Sequence, residues 1–379
     1  MNKLVLMLKY YRLLSWLLFY ILLFIPPFFL PNKTYALDVI DPWVTVGSLT
    51  QQTANHQSIV YGGYLLTLAG STLDDFSTIE KLNSNIVSPN WINGASNVPT
   101  NTYWHTSGLK SNFLYILGGT QYPPQTSKSF AYVGEINSSG DLQNWRTLAS
   151  LPVRLSKGAA TVVGNYIYFS GGFTDNENAG SASRKVYYAP INADGSLGSW
   201  NTTTDLPDVL WDHGMVSYGD YIYVIGGKNS GSEISQVKRA KANADGTLGS
   251  WTTMPSLPGS TRAFGYTMVD DYIFVVGGYN GLSFKNTVYY TTVDLTGNMA
   301  SWTTSTNSLP ITHGSGSLAA AGGYLYLTGG WISGYTDKVY KAKLNIGSVA
   351  LTPVIFLPGM GGSWNYEAMV HNATVSDID

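Results

Sequence analysis

The stretch YIYVIGG at residues 221–227 is a run of aromatic and β-branched residues that ends in two glycines. Such a run favours an extended strand, and the glycines stop it where the backbone needs conformations that side chains resist. The pattern returns as YIFVVGG at 272–278 and YLYLTGG at 324–330, and apolar runs also end in small pairs at Ala69-Gly70, Gly118-Gly119 and Gly171-Gly172. Working outward, a tryptophan precedes each pair by about 26 residues: Trp43, Trp91, Trp145, Trp200, Trp251 and Trp302, at steps of 48, 54, 55, 51 and 51. Between tryptophan and pair, five units carry a Leu-Pro or Val-Pro step, at Pro99, Pro152, Pro207, Pro258 and Pro310, while the first has Leu49-Thr50. Six units with a period near 50 point to a propeller or a solenoid.

Within the units VYYAPI and VYYTTV alternate, and INADGSLGSW and ANADGTLGSW join two strands through Asp-Gly turns, which makes four strands per unit. Four-stranded units with a glycine pair after the second strand and a tryptophan on the fourth resemble the kelch family over residues 37–347. The resemblance implies an all-β fold, a six-bladed propeller. The chain enters at a fourth-strand position, Trp43, and its last complete piece is a third strand at 338–344. The N-terminal strand is therefore expected to complete the last blade, which removes an open sheet edge.

Composition excludes several functions. The chain has no cysteine, so disulfides, thiol nucleophiles, cysteine-ligated metals and cysteine–tyrosine radical oxidases are ruled out. Lys+Arg at 21 against Asp+Glu at 23 gives a net charge of −2, without the basic footprint that nucleic acid requires. Residues 1–36 read as a secretory signal: Lys3, Lys9 and Arg12 precede the apolar run 13–25, Pro26-Pro27 follow, and Thr34-Tyr35-Ala36 offers a cleavage site. Because Phe28, Phe29 and Leu30 extend the apolar stretch, an uncleaved anchor is the alternative, and it is the one membrane attachment foreseen. Either reading makes the body, residues 37–348, secreted or exposed at the cell surface.

In a propeller the connection from a fourth strand to the next first strand shares a face with the loop between strands two and three. That face is expected to hold Trp104, His105, Arg154, Trp211, Asp212, His213 and Arg262 from the first set of loops, with Tyr122, Phe173, Tyr279 and Trp331 from the second. Its aromatics should be partly exposed, as stacking and hydrogen-bonding surface for a carbohydrate or protein ligand, whereas the repeat tryptophans should be buried. His56, His105 and His213 each stand 13 residues before their small pair, and His313 lies in an equivalent loop. They read as repeat packing, so neither metal nor cofactor is expected. A sugar-epimerising kelch enzyme using Arg154, Arg262 and His213 is an alternative.

After Gly347 the chain reads TPVIFLPGMGGSWNYEAMVHN, which resembles the opening strand and oxyanion loop of lipase- and acyltransferase-like α/β-hydrolases. The resemblance implies that backbone N–H groups around Gly359, Met360 and Gly361 bind an oxyanion. There is no G-x-S-x-G elbow, so residues 349–379 are read as the start of a truncated hydrolase domain, or else as an incidental apolar strand and tail. The chain itself is thus expected to be a non-catalytic extracellular binding propeller, the targeting module of a lipase- or esterase-like parent. The alternative assigns it to the hydrolase as its N-terminal part.

Overall fold

Each unit of the repeat becomes one antiparallel four-stranded sheet, giving six blades. The computed structural model describes residues 38–71, 77–83, 91–121, 126–174 and 181–346, and none of them is helical. Blade one runs Gln57–Tyr61, Tyr64–Leu68, Ile79–Asn83 and Ile92–Asn93, and blades two to five follow in chain order. Blade six takes Ser317–Ala321, Tyr324–Thr328 and Thr336–Lys343 from the end of the repeat, and its outer strand is Val44–Thr53. The N-terminal strand closes the propeller as the phase of the repeat requires, with Val44 opposite Lys341 and Thr53 opposite Thr336. The leader and the hydrolase-like tail lie outside the described residues.

The second strands form the core. Tyr166–Ser170, Tyr221–Ile225, Tyr272–Val276 and Tyr324–Thr328 are buried on both faces after their first residue, which is why they read as continuous apolar runs. Their aromatics also reach the next blade. Tyr115, Tyr168 and Tyr223 donate hydroxyl hydrogen bonds of 2.9, 2.8 and 2.6 Å to the carbonyls of the turn glycines Gly195, Gly246 and Gly297. Blade one has Leu66 at this position and uses another link: Lys81 Nζ reaches the Ser139 carbonyl at 3.0 Å and Asp141 at 2.6 Å.

Trp43 and Trp91 are buried, but Trp145, Trp200, Trp251 and Trp302 are partly exposed, against expectation. The indole lies across the gap between blades instead of beneath it. Trp200, Trp251 and Trp302 donate Nε1–H to the carbonyls of Ala149, Thr204 and Pro255, each in the preceding blade's exit segment, and Trp145 donates to Ser96 Oγ.

The closure has the register of an Asp-Gly turn cut open. In blade three Asn192 N–H donates to Ser196 O and Ile191 bridges Leu197; in blade six Asn345 N–H donates to Val39 O and Leu344 bridges Ile40. Asn345 Nδ2 adds bonds to Asp38 O and to the Asp41 carboxylate, and Asp38 accepts from Ser305 and Thr306 of blade five. Ile40 and Trp43 are both buried here, and a side chain of this size contributes about 2 kcal/mol on burial. Deleting residues 37–46 is accordingly expected to lower the unfolding free energy by about 4 kcal/mol or more and to broaden the transition. An unchanged thermal midpoint would contradict strand closure.

Candidate functional site

Each connection from one blade to the next bridges its own blade's loop between strands two and three: Ala54 with Ser71, Tyr103 with Thr120, Ser156 with Phe173, Trp211 with Lys228, Arg262 with Tyr279, and Gly314 with Trp331. The two sets of loops therefore share a face, as the sequence implied. Toward the axis from these bridges stands one residue per blade: Asn55, Trp104, Lys157, Asp212, Ala263 and Ser315, each with φ between 50° and 57°. Their backbones form a closed girdle. The N–H of each donates to the carbonyl of its counterpart in the preceding blade, at 2.9 Å for Asn55 to Ser315, 3.0 for Trp104 to Asn55, 3.0 for Lys157 to Trp104, 2.9 for Asp212 to Lys157, 3.0 for Ala263 to Asp212 and 2.7 for Ser315 to Ala263.

A second girdle surrounds the first and runs the other way. The second residue of each small pair donates its N–H to the next blade: Gly70 to Thr102, Gly119 to Leu155, Gly172 to Leu210, Gly227 to Thr261, Gly278 to His313 and Gly330 to Thr53. This explains the pair. Gly227 has φ 96°, and a Cβ there would lie 2.6 Å from His213 Cβ. A Cβ on Gly171, in the neighbouring blade, would lie 2.9 Å from His213 Cε1, so the imidazole is wedged between two glycine pairs.

His56, His105 and His213 occupy equivalent wedges, Phe264 fills the one in blade five, and Phe169 and His313 reach the space above Gly158 and Gly316 from elsewhere. His56 Nε2 bonds Thr328 Oγ1 at 2.9 Å and His213 Nε2 bonds Ser170 Oγ at 2.8 Å. The counterpart of those hydroxyl residues in blade one is Leu68, and neither ring nitrogen of His105 has a partner. Desolvation by burial holds His56 and His213 down to about 3 and His105 and His313 down to about 4, with His105 and His313 adding to the effect on His56. All four are neutral packing groups at physiological pH. Among the described residues no His, Asp and Glu cluster suited to a metal occurs.

All six girdle residues line two cavities: an outer bowl of about 290 Å³ and a throat of about 80 Å³ beneath it. Arg262, Phe284, Trp331 and Tyr335 complete the bowl, and the throat opens toward an axial channel of about 330 Å³ past Phe264 and Tyr266. Of the expected ligand-face residues, Trp104, Asp212, Arg262 and Trp331 converge on the bowl, and His105 and His213 line the throat. Arg262 is fixed by Asp212 at 2.7 Å and Glu233 at 3.1 Å and lies over the Tyr279 ring. Two expectations of exposure are corrected: Phe173 and Trp211 are buried, because they pack edge to face with ring centroids 4.6 Å apart. Arg154 is exposed but does not line the bowl, and Tyr122 lies outside the described residues.

Asn55, Lys157, Ala263, Ser315, Phe284 and Tyr335 were not singled out by the sequence. For the first four a signal exists: every girdle residue stands 15 positions before the second residue of its small pair. Phe284 and Tyr335 lie in loops of unequal length, which carry no such register.

The fold and site define a six-bladed all-β propeller with a loop-face bowl on its axis. No protein-family model matches the chain. Kelch-like protein 38 of Mus musculus is 26% identical over 168 residues, 44% of this chain and 27% of that protein. Kelch-like protein 36 of Mus musculus is 25% identical over 138 residues, 36% of this chain and 21% of that protein. The chain thus spans about a quarter of the length of these curated relatives. A solved structure described as "Structure of YjhT" superimposes with a TM-score of 0.61 at 14% identity, over 78% of this chain and 95% of that one, a likeness of fold. Together the relatives and the architecture support a kelch-repeat propeller.

The buried histidines give a test. Their folded pKa values lie below the ordinary 6.5, so below that pH the unfolded chain takes up protons that the folded chain refuses, and stability falls. The slope is about 1.4 kcal/mol per pH unit for each histidine, and it ends near pH 3 to 4, where the folded groups also protonate. Urea midpoints at pH 7, 6 and 5 should decline more gently for His105→Phe, since Phe264 shows that the wedge accepts that ring. Parallel profiles would show that His105 is not held neutral.

Proposed function

We propose that this chain is an extracytoplasmic, non-catalytic module that binds a loop of another protein at its bowl. The carrying observation is the apolar surface of blades five and six on the loop face: Leu282 is 89% exposed, Ile311 39% and Trp331 37%, beside Phe284 and Tyr335 of the bowl lining. Exposed aliphatic and aromatic side chains grouped around a concavity are what protein partners bury. Carbohydrate is the weaker reading, because the aromatic faces it would stack on are already engaged. Lys157 Nζ sits 3.7 Å from the Trp104 ring centroid, Arg262 lies over Tyr279, and Phe173 and Trp211 cover each other. Likeness to kelch-like proteins supports protein binding, and the leader sequence supports export. The tail sequence around Gly359, Met360 and Gly361 supports a hydrolase parent for which the propeller is the docking module.

A phage-displayed random peptide library panned on the purified propeller should enrich peptides with an apolar anchor. Fluorescence anisotropy should show binding that the double variant Leu282→Ser, Trp331→Ala weakens at least about ten-fold, equivalent to about 1.4 kcal/mol. Failure to enrich any peptide, equal binding by the double variant, or binding of a saccharide from a glycan array at the bowl would overturn this assignment. The same chain is expected to leave short and long p-nitrophenyl esters intact, since Ser363 follows the oxyanion-like loop directly and no elbow serine is present. Turnover abolished by Ser363→Ala would make it an enzyme.

A further inference from the structure

Two loops of the bowl face are built alike and differ at one step. In blade four the Asn229 side-chain oxygen accepts from the N–H groups of Gly231 and Ser232 at 2.9 and 3.0 Å, and Asn229 N–H donates to Ser232 O at 3.1 Å. In blade five the Asn280 oxygen accepts from Leu282 and Ser283 at 3.1 and 2.9 Å, and Asn280 N–H donates to Ser283 O at 3.2 Å. The next residue is Ser230 in the first loop and Gly281 in the second. Asn229 Nδ2 is also tied, to the Asp208 carboxylate at 3.0 Å, whereas among the described residues no hydrogen bond ties Asn280 Nδ2.

An Asn-Gly step is open to cyclisation, because glycine leaves its nitrogen unshielded for attack on the preceding side-chain amide. The chain has two such steps, Asn93-Gly94 and Asn280-Gly281. The first is restrained: Gly94 N–H donates to Ile79 O at 2.7 Å beside the outer strand of blade one. Gly281 is exposed, and among the described residues no hydrogen bond engages its N–H. Its glycine has a structural reason, since φ is 91° and a Cβ there would lie 2.5 Å from Glu233 Oε2. The same packing seats a carboxylate against Gly281, fixed through its other oxygen by Arg262 at 3.1 Å. Glu233 is thus a proton acceptor beside the residue whose nitrogen attacks, and the N–H groups of Leu282 and Ser283 already point at the oxygen on which negative charge develops.

We propose that Asn280 is a self-modification site, at which the chain converts an amide on the rim of its bowl into a carboxylate. Glu233 takes the Gly281 N–H proton as that nitrogen attacks Asn280 Cγ, and the charge on Oδ1 is held by the two N–H donors. The Cγ–Nδ2 bond then breaks, the proton passes from Glu233 to the leaving nitrogen, and ammonia departs. Water opens the resulting succinimide at either carbonyl, giving aspartate or isoaspartate. The new charge stands two residues before Leu282, which is 89% exposed, and isoaspartate also lengthens the backbone between them. Modification therefore weakens a partner anchored on Leu282 as the chain ages, so the site acts as a timer of binding. This consequence rests on the bowl being the binding face, and the chemistry does not.

The test incubates the freshly purified chain at pH 7.4 and 37 °C, digests samples in acid and maps them by mass spectrometry with fragmentation that separates isoaspartate from aspartate. Asn280 is expected to be modified first, while Asn93 and Asn229 remain amides. A capped peptide of residues 279–285, which has the Asn-Gly step without Glu233 or the fixed donors, should react more slowly. Glu233→Gln keeps an acceptor for Arg262 and should slow the step at least about ten-fold. Should that variant unfold, the peptide comparison decides. Modification of Asn93 or Asn229 ahead of Asn280, a peptide that outpaces the folded chain, or an undiminished rate in folded Glu233→Gln would overturn the proposal. These readouts need no ligand, so they stand apart from the binding reading. For the timer, peptides enriched on the fresh chain should bind the aged chain and Asn280→Asp at least about three-fold more weakly. Aged Asn280→Ser, which keeps a turn-forming oxygen but has no amide, should bind as it does when fresh. Equal binding by Asn280→Asp would refute the timer and leave the modification standing.

Discussion

The two counter-running girdles of backbone hydrogen bonds are the constraint on which the rest of this structure depends. Each blade receives from its neighbour through a girdle residue and returns through the second residue of its small pair, so neither can move without breaking a bond on both sides. The circle closes through two bonds that involve the N-terminal segment, Asn55 to Ser315 and Gly330 to Thr53. Closure is therefore made twice, at the rim by the outer strand of blade six and at the axis by the residues that follow it. A chain without disulfides gains from this arrangement, because backbone groups that are buried and paired resist exchange for water.

Side chains repeat the same interblade geometry with changing chemistry. A turn glycine carbonyl is held by tyrosine in three places, and Lys81 performs the linking where Leu66 has no hydroxyl. Imidazole fills the wedge in blades one, two and four, and a phenyl ring does so in blade five. What is preserved is volume and reach across the gap. This explains how units of low mutual identity build equivalent blades, and why the likeness to a solved propeller at 14% identity extends to 78% of the chain.

Such economy also decides what the sequence could disclose. The glycine pairs, tryptophans and Asp-Gly turns are backbone requirements, so they recur at near-constant spacing and reveal blade number, strand order and the cut in blade six. Burial was less legible. Trp145 and Trp200 resemble core residues by type, yet their indole N–H groups seek neighbouring hydroxyl or carbonyl oxygens at the rim, whereas Trp211 looks like a ligand platform and is covered by Phe173. Spacing specifies where a residue sits on the backbone, and the partner that covers it comes from another unit some fifty residues away. Lys157 and Ser315 went unnoticed for a related reason: their positions are regular while their identities are not.

That separation locates function on this scaffold. At the girdle the backbone supplies the bonds and the left-handed conformation, so Asn, Trp, Lys, Asp, Ala and Ser serve equally well as its members. Glycine would suit the conformation better at each of them. Side chains kept in a conformation that disfavours them and gathered around one aperture can therefore differ from blade to blade without disturbing the closure beneath. The wedge histidines are the opposite case, since each is bound by the volume it fills. His105 is one of them: a Cβ on Gly119 would lie 2.9 Å from His105 Cβ, so its ring sits against the glycine pair of its own blade.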